Sequence, residues 1–146
     1  MNARDADLDL TRPADGGVYF VEPGDLDVLA RAAAGEELCV RRTDLAGCCD
    51  KAELLRRLAV SLSLPASFGH NWDALADCLR DLGWLPGWGH ALLFVRADDL
   101  RQADGADFDT LLGILDDAAT FAVEQDRPFF AFLDLPAPDP GHAATP

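Results

Sequence analysis

The runs ALLFV, residues 91–95, and PFFAFL, residues 128–133, are apolar at every position, and they constrain the fold more than any other feature of the chain. A strand with one face in water alternates apolar and polar residues, so unbroken runs fit a sheet covered by helices. Periodicity alone leaves open whether one face is covered or both. GVYFV (17–21) and ELCVRR (37–42) read as two further strands. Helical patterns stand between these runs. DLDVLARAAAG (25–35) is one, with Gly35 as its stop. Asp50 caps a second, with Glu53 in a capping-box position and an apolar stripe of Leu54, Leu55, Leu58 and Leu62 before Pro65 ends it. A later helix, from Asp107 to Glu124, carries Leu111, Leu112, Leu115 and Ala118 on one side. Strands alternating with helices predict an α/β fold, a mainly parallel sheet of three to four strands packed with helices.

At 146 residues the chain makes a single domain with its own core. Residues 1–17, which end in Gly16 and Gly17, and the tail PAPDPGHAATP from Pro136 lack apolar periodicity. The expected domain therefore spans 18–135, between a flexible N-terminus (1–17) and a flexible tail (136–146). No apolar run approaches the ~20 residues that cross a bilayer. The opening, MNARDADLDL, lacks the basic-then-apolar order of a signal peptide. The expected compartment is the cytoplasm, with no membrane partner. Cys39, Cys48, Cys49 and Cys78 match no zinc spacing, and a reducing compartment disfavours disulfides. Cys39 and Cys78 lie in apolar runs and read as buried thiols. Cys48 and Cys49 follow Gly47 in a loop, where a redox role is the alternative reading.

Twelve basic residues face 26 acidic ones, a net charge of −14. Such a surface repels nucleic acid and anionic lipid and attracts a basic partner. It also serves solubility. Nucleic acid is therefore excluded as a partner.

The stretch FGHNWDALADCL (68–79) concentrates the chemistry. With Asn71 as N-cap, helical spacing puts Trp72, Leu75, Cys78, Leu79 and Leu82 on one side and Asp73 and Asp77 on the other. Like charges four residues apart repel by a few tenths of a kcal/mol. The helix dipole excuses Asp73 in the first turn but not Asp77. Arg80 offers a local ion pair to either, as on any solvated face. Two carboxylates on one face otherwise suit general acid–base work, a Mg²⁺ site or docking to a cationic surface. The first needs a pocket and a partner such as histidine, and His70 lies outside the helix start. The second needs a phosphate-binding loop, whereas GWLPGWG (83–89) reads as a rigid linker. Docking needs neither.

LPASFGHNWDALADCL (64–79) resembles the signature of the barstar family of ribonuclease inhibitors: Leu-Pro, an aromatic-Gly pair, Asn, then Asp-Ala-Leu-x-Asp-Cys-Leu and a later tryptophan, here Trp84. The order of elements from ELCVRR to PFFAFL fits too, so the resemblance covers roughly 36–134. It implies a barstar-like layered fold to which the strand and helix of 18–35 are an extension. It implies a non-enzymatic inhibitor or immunity protein, without cofactor or metal and monomeric when free, whose partner is a basic secreted or toxin-type ribonuclease. The barstar–ribonuclease complex is itself a standard example of charge-steered association. The implied partner-binding residues are Phe68, Gly69, His70, Asn71, Asp73, Ala76 and Asp77, with Asp77 dominant, and Asp117 on the later helix. Two positions depart from the family. Ser67 stands where an aromatic precedes the one matched by Phe68, and Ala76 stands where the family has tryptophan. Aromatic anchors carry interface energy. Their loss leaves a second reading, a barstar-fold adaptor that binds a basic protein other than a nuclease.

Overall fold

The structure, a computed structural model, describes residues 8–136. The expected tail lies outside those residues apart from Pro136, and so do residues 1–7.

Four strands form one sheet: β1 (Gly17–Val21), β2 (Cys39–Asp44), β3 (His90–Val95) and β4 (Phe129–Asp134). Their spatial order is β1-β4-β3-β2 and every pairing is parallel. The α/β fold predicted from the alternating pattern is present, at the upper end of the expected strand number. Helix α1 (Leu26–Gly35) carries the chain from the β1 edge to the β2 edge. Helices α2 (Lys51–Ser61) and α3 (Trp72–Asp81) then join β2 to β3, and α4 (Ala97–Ala103) and α5 (Gly105–Glu124) join β3 to β4. Among the described residues no helix is long and apolar enough to cross a membrane.

Because side chains alternate across a strand, the unbroken runs must feed two cores. On one face Leu92, Phe94, Phe129, Ala131 and Leu133 pack with Leu54, Leu58, Leu75, Leu79, Leu111 and Leu115 of α2, α3 and α5. On the other, Ala91, Leu93, Phe130 and Phe132 pack with Leu26 and Ala33 of α1 and with Leu10. Both faces are therefore covered, which periodicity had left open. Tyr19 stacks on Phe130 and tilts against Phe132, with ring centroids 6.3 and 5.9 Å apart. Its hydroxyl donates to the Asp15 carbonyl.

Residues 8–16 differ from the loose terminus expected of them. Leu10 is buried in the α1-side core, and Pro13–Asp15 forms a short 3₁₀ turn. An apolar residue at a single position gives no periodic signal, so this docking was invisible in the sequence.

Local chemistry explains most helix starts. The Asp50 carboxylate accepts from the Glu53 amide at 2.8 Å. Glu53 does not reach back to complete a capping box; it pairs with Arg56 and Arg57, which hold its carboxyl down at about 2. The 83–89 linker is pinned at both ends: Trp84 Nε1 donates to the Leu62 carbonyl and Trp88 Nε1 to that of Glu36, each at 3.0 Å. Gly87 is required there. Its φ is +91°, and a Cβ would sit 3.0 Å from the Cys39 amide nitrogen.

Candidate functional site

The site starts in the loop before α3. Phe68 is only 6% exposed, and its amide donates to the Pro65 carbonyl at 2.8 Å. Although expected as a partner contact, Phe68 points into the core and fixes the loop from inside. Its neighbours Gly69, His70 and Asn71 are exposed. His70 has a left-handed backbone, φ 53°, and its ring lies 4.7 Å from that of Phe68. Nδ1 donates to the Phe68 carbonyl at 3.1 Å, which selects the Nδ1-protonated ring.

Asn71 caps α3, its Oδ1 accepting from the Ala74 amide at 2.8 Å, as the spacing predicted. Its Nδ2 turns back to the Gly69 carbonyl at 3.4 Å. A Cβ at position 69 would stand 3.0 Å from that Nδ2, so glycine leaves the carboxamide room to cap. Loop and helix are thereby one unit.

Along α3, Leu75 and Leu79 are buried, and Trp72 packs against the core with the Lys51 ammonium 5.8 Å from its ring centroid. Asp73 and Asp77 face solvent, and the Asp77 side chain is 73% exposed. Arg80 pairs with Asp77, three residues earlier. Ala76 is half-buried on the flank, and so is Cys78, which was expected to be a buried thiol. Burial, then the charges of Asp77 and Asp81, push the Cys78 thiol up. The helix ends at Leu82, in a left-handed conformation (φ 48°) with its amide on the Cys78 carbonyl.

Beside Asp77 an open groove of about 450 Å³ runs between the C-terminal turns of α3 and α5, lined by Asp77, Arg80, Asp81, Gly83, Phe121, Gln125 and Arg127. From α5 comes Phe121, and Gln125 follows as the residue that ends the helix. Asp117, the expected acid, is exposed one turn before Phe121. On this later helix sequence reasoning followed the acid Asp117 alone and so passed over Phe121 and Gln125, although they stand four and eight residues after it on the same face. Deeper in the same corner lies His90, 5% exposed, with no hydrogen-bond partner at Nε2. Burial, and then Arg127, push its ring down to about 4.

A second cleft, of about 390 Å³, lies between the 47–49 turn and α4. Cys48 is buried there and its thiol is pushed up by burial, whereas Cys49 is exposed; all four cysteines are free. A raised thiol is a poor nucleophile. Among the described residues no group of three or more His, Cys, Asp or Glu is placed to hold a metal ion.

The family described as Barstar (barnase inhibitor) matches residues 38–134. The match opens one residue before β2 and closes with β4, which leaves β1 and α1 ahead of it. No curated protein matches the chain.

Proposed function

This chain belongs to the barstar family, and from that premise we propose that it is a non-enzymatic inhibitor of a basic, secreted or toxin-type bacterial ribonuclease, acting as an immunity protein in the cytoplasm of the cell that makes it. The solvent face of α3 and the loop before it occlude the nuclease's cationic active site. Asp77 is the central carboxylate, Asp73 its neighbour, and Gly69, His70 and Asn71 form the adjoining rim. One observation carries the reading: two carboxylates stand on the outer face of a helix whose other face and N-terminal loop are locked into the core. A preorganised acidic surface is what a rigid basic cleft selects, since neither partner orders much on binding.

The test is a titration of a panel of small basic bacterial ribonucleases with the wild type, Asp77→Ala and Asp116→Ala. Near-stoichiometric inhibition is expected for the wild type, a large loss for Asp77→Ala and little change for Asp116→Ala. Association should also slow steeply as salt rises toward physiological strength. Equal losses in the two variants would refute the residue assignment, and a salt-independent on-rate would refute the electrostatic plug.

A second reading is an adaptor that binds a basic protein other than a nuclease. It is favoured by Ser67 and Ala76, which leave α3 and its loop without the family's aromatic anchors. Inhibition of no ribonuclease in the panel, with a basic partner captured in an Asp77-dependent manner, would put it first.

A further inference from the structure

We propose that the corner between the end of α3 and the starts of β3 and β4 is an internal hydration site, where a single water molecule bonds to His90 Nε2 and ties that ring to the last turn of α3.

A cavity of about 10 Å³ lies in this corner. Its lining includes Leu79, Arg80 and Leu82 from the end of α3, Arg127 and Pro128 from the approach to β4, and His90, the first residue of β3. That is room for about one water and nothing larger. His90 is 5% exposed, and its Nε2 is buried with no hydrogen-bond partner. Buried polar atoms in folded proteins are nearly always bonded, to protein or to ordered water. The two observations are independent: a buried ring nitrogen that lacks a partner, and a water-sized space that the same residue lines.

The neighbouring polar groups are committed elsewhere. The Arg127 guanidinium donates to the Arg80 carbonyl at 3.4 Å. The His90 amide donates to the Pro128 carbonyl at 3.0 Å, which fixes the backbone that carries the ring. The end of α3 has an orphan of its own. The Leu82 amide donates to the Cys78 carbonyl at 3.0 Å and the Gly83 amide to the Asp81 carboxylate at 3.2 Å, so the Leu79 carbonyl receives neither. Leu79 lines the cavity too, and its carbonyl gives the water a second partner. Buried waters make about three such bonds.

Water suits the site and an ion does not. Burial, and then Arg127, disfavour the charged ring, so near neutral pH one ring nitrogen carries a proton and the other a lone pair. Water both donates and accepts, and so answers either nitrogen. A cation would sit beside Arg127, and an ion of either sign would lose its hydration in so small a space.

The experiment is NMR of the full chain at pH 7, recording cross-relaxation between water and the carbon-bound Hε1 of His90. None of the lining residues carries a hydroxyl that could relay the signal. A cross-peak with the sign of a long-lived water is expected. Ala122→Val, which enlarges a lining residue, should remove it. Displacing the water strands Nε2, so Ala122→Val should lower the urea midpoint of the wild type. The same substitution should lower it much less in His90→Leu, which has no polar atom to strand. Crowding by valine is common to both backgrounds and cancels in that comparison. No cross-peak in the wild type, or an equal loss in the two backgrounds, overturns the proposal. The wild-type cross-peak requires no variant to fold.

Discussion

Asp134, the last residue of β4, accepts the backbone N–H of Ala97 at 2.9 Å and so caps α4 from the neighbouring strand. Asp134 as a whole is 4% exposed. The residue before α4, Arg96, turns the chain in a left-handed conformation and gives no side-chain cap. Removing the Asp134 acceptor leaves a buried amide unsatisfied. Asp134→Ala should therefore cost about 1–3 kcal/mol of stability. The expected sign is a lower urea midpoint at unchanged slope, with Asp134→Asn, which keeps an oxygen, losing less.

Asn71→Ala should cost about 1 kcal/mol as a lost helix cap. It also frees the Gly69 carbonyl from the carboxamide that ties loop to helix. Asn71→Asp, which restores an acceptor without the Nδ2 donor, should recover most of the stability while leaving the loop untied. Amide hydrogen exchange at Gly69 and His70 separates the two effects: faster exchange in Asn71→Asp at near-native stability is the expected result.

The α4 cap also shows where the sequence stops being legible. The inner strands β3 and β4 announced themselves through the unbroken apolar runs ALLFV and PFFAFL, and α2 and α3 because Asp50 and Asn71 stand where caps belong. Helix α4 has its cap 37 residues away, and within ADDLRQA only the first-turn acids Asp98 and Asp99 hint at a start. The same limit hid the groove. The solvent face of α3 follows from helical spacing alone, but the side chains that α5 sets against it depend on how two helices pack.

His90 gives the stability a pH dependence of known sign. In the folded protein its ring is pushed down to about 4 from an ordinary 6.5. The unfolded chain therefore takes up the proton first. Stability that is fully present above pH 6.5 should fall as the pH drops toward 4 and then level off for this group. Linkage bounds the loss at roughly 3 kcal/mol. His90→Gln should flatten that part of the profile, read as the difference between wild-type and variant urea midpoints from pH 7 to pH 4. Parallel profiles would show that the buried ring is not the titrating group.

A chain that starts at residue 36 keeps the whole matched family region and loses β1 and α1. It also uncovers Ala91, Leu93, Phe130 and Phe132, which pack against the extension. Four buried side chains turned to solvent, two of them aromatic, form a patch of the kind that drives aggregation. The truncated chain should bind a hydrophobic dye and lose its cooperative unfolding transition, both measurable beside the full-length protein.

The pairing of β1 with β4, from Gly17 against Phe130 to Val21 against Asp134, orders events in time as well as in space. Among the described strands, the first in chain order is partnered by the last. Contacts that join the two ends of a chain come at the highest entropic cost of loop closure and form late. No chain that stops short of β4 can close this sheet, so Tyr19 has no Phe130 or Phe132 to stack on until residues 129–134 have been made. Phe129, Ala131 and Leu133 of that strand share the core with Leu75 and Leu79 of α3, so the acidic face of α3 gains its full backing only after β4 has been made.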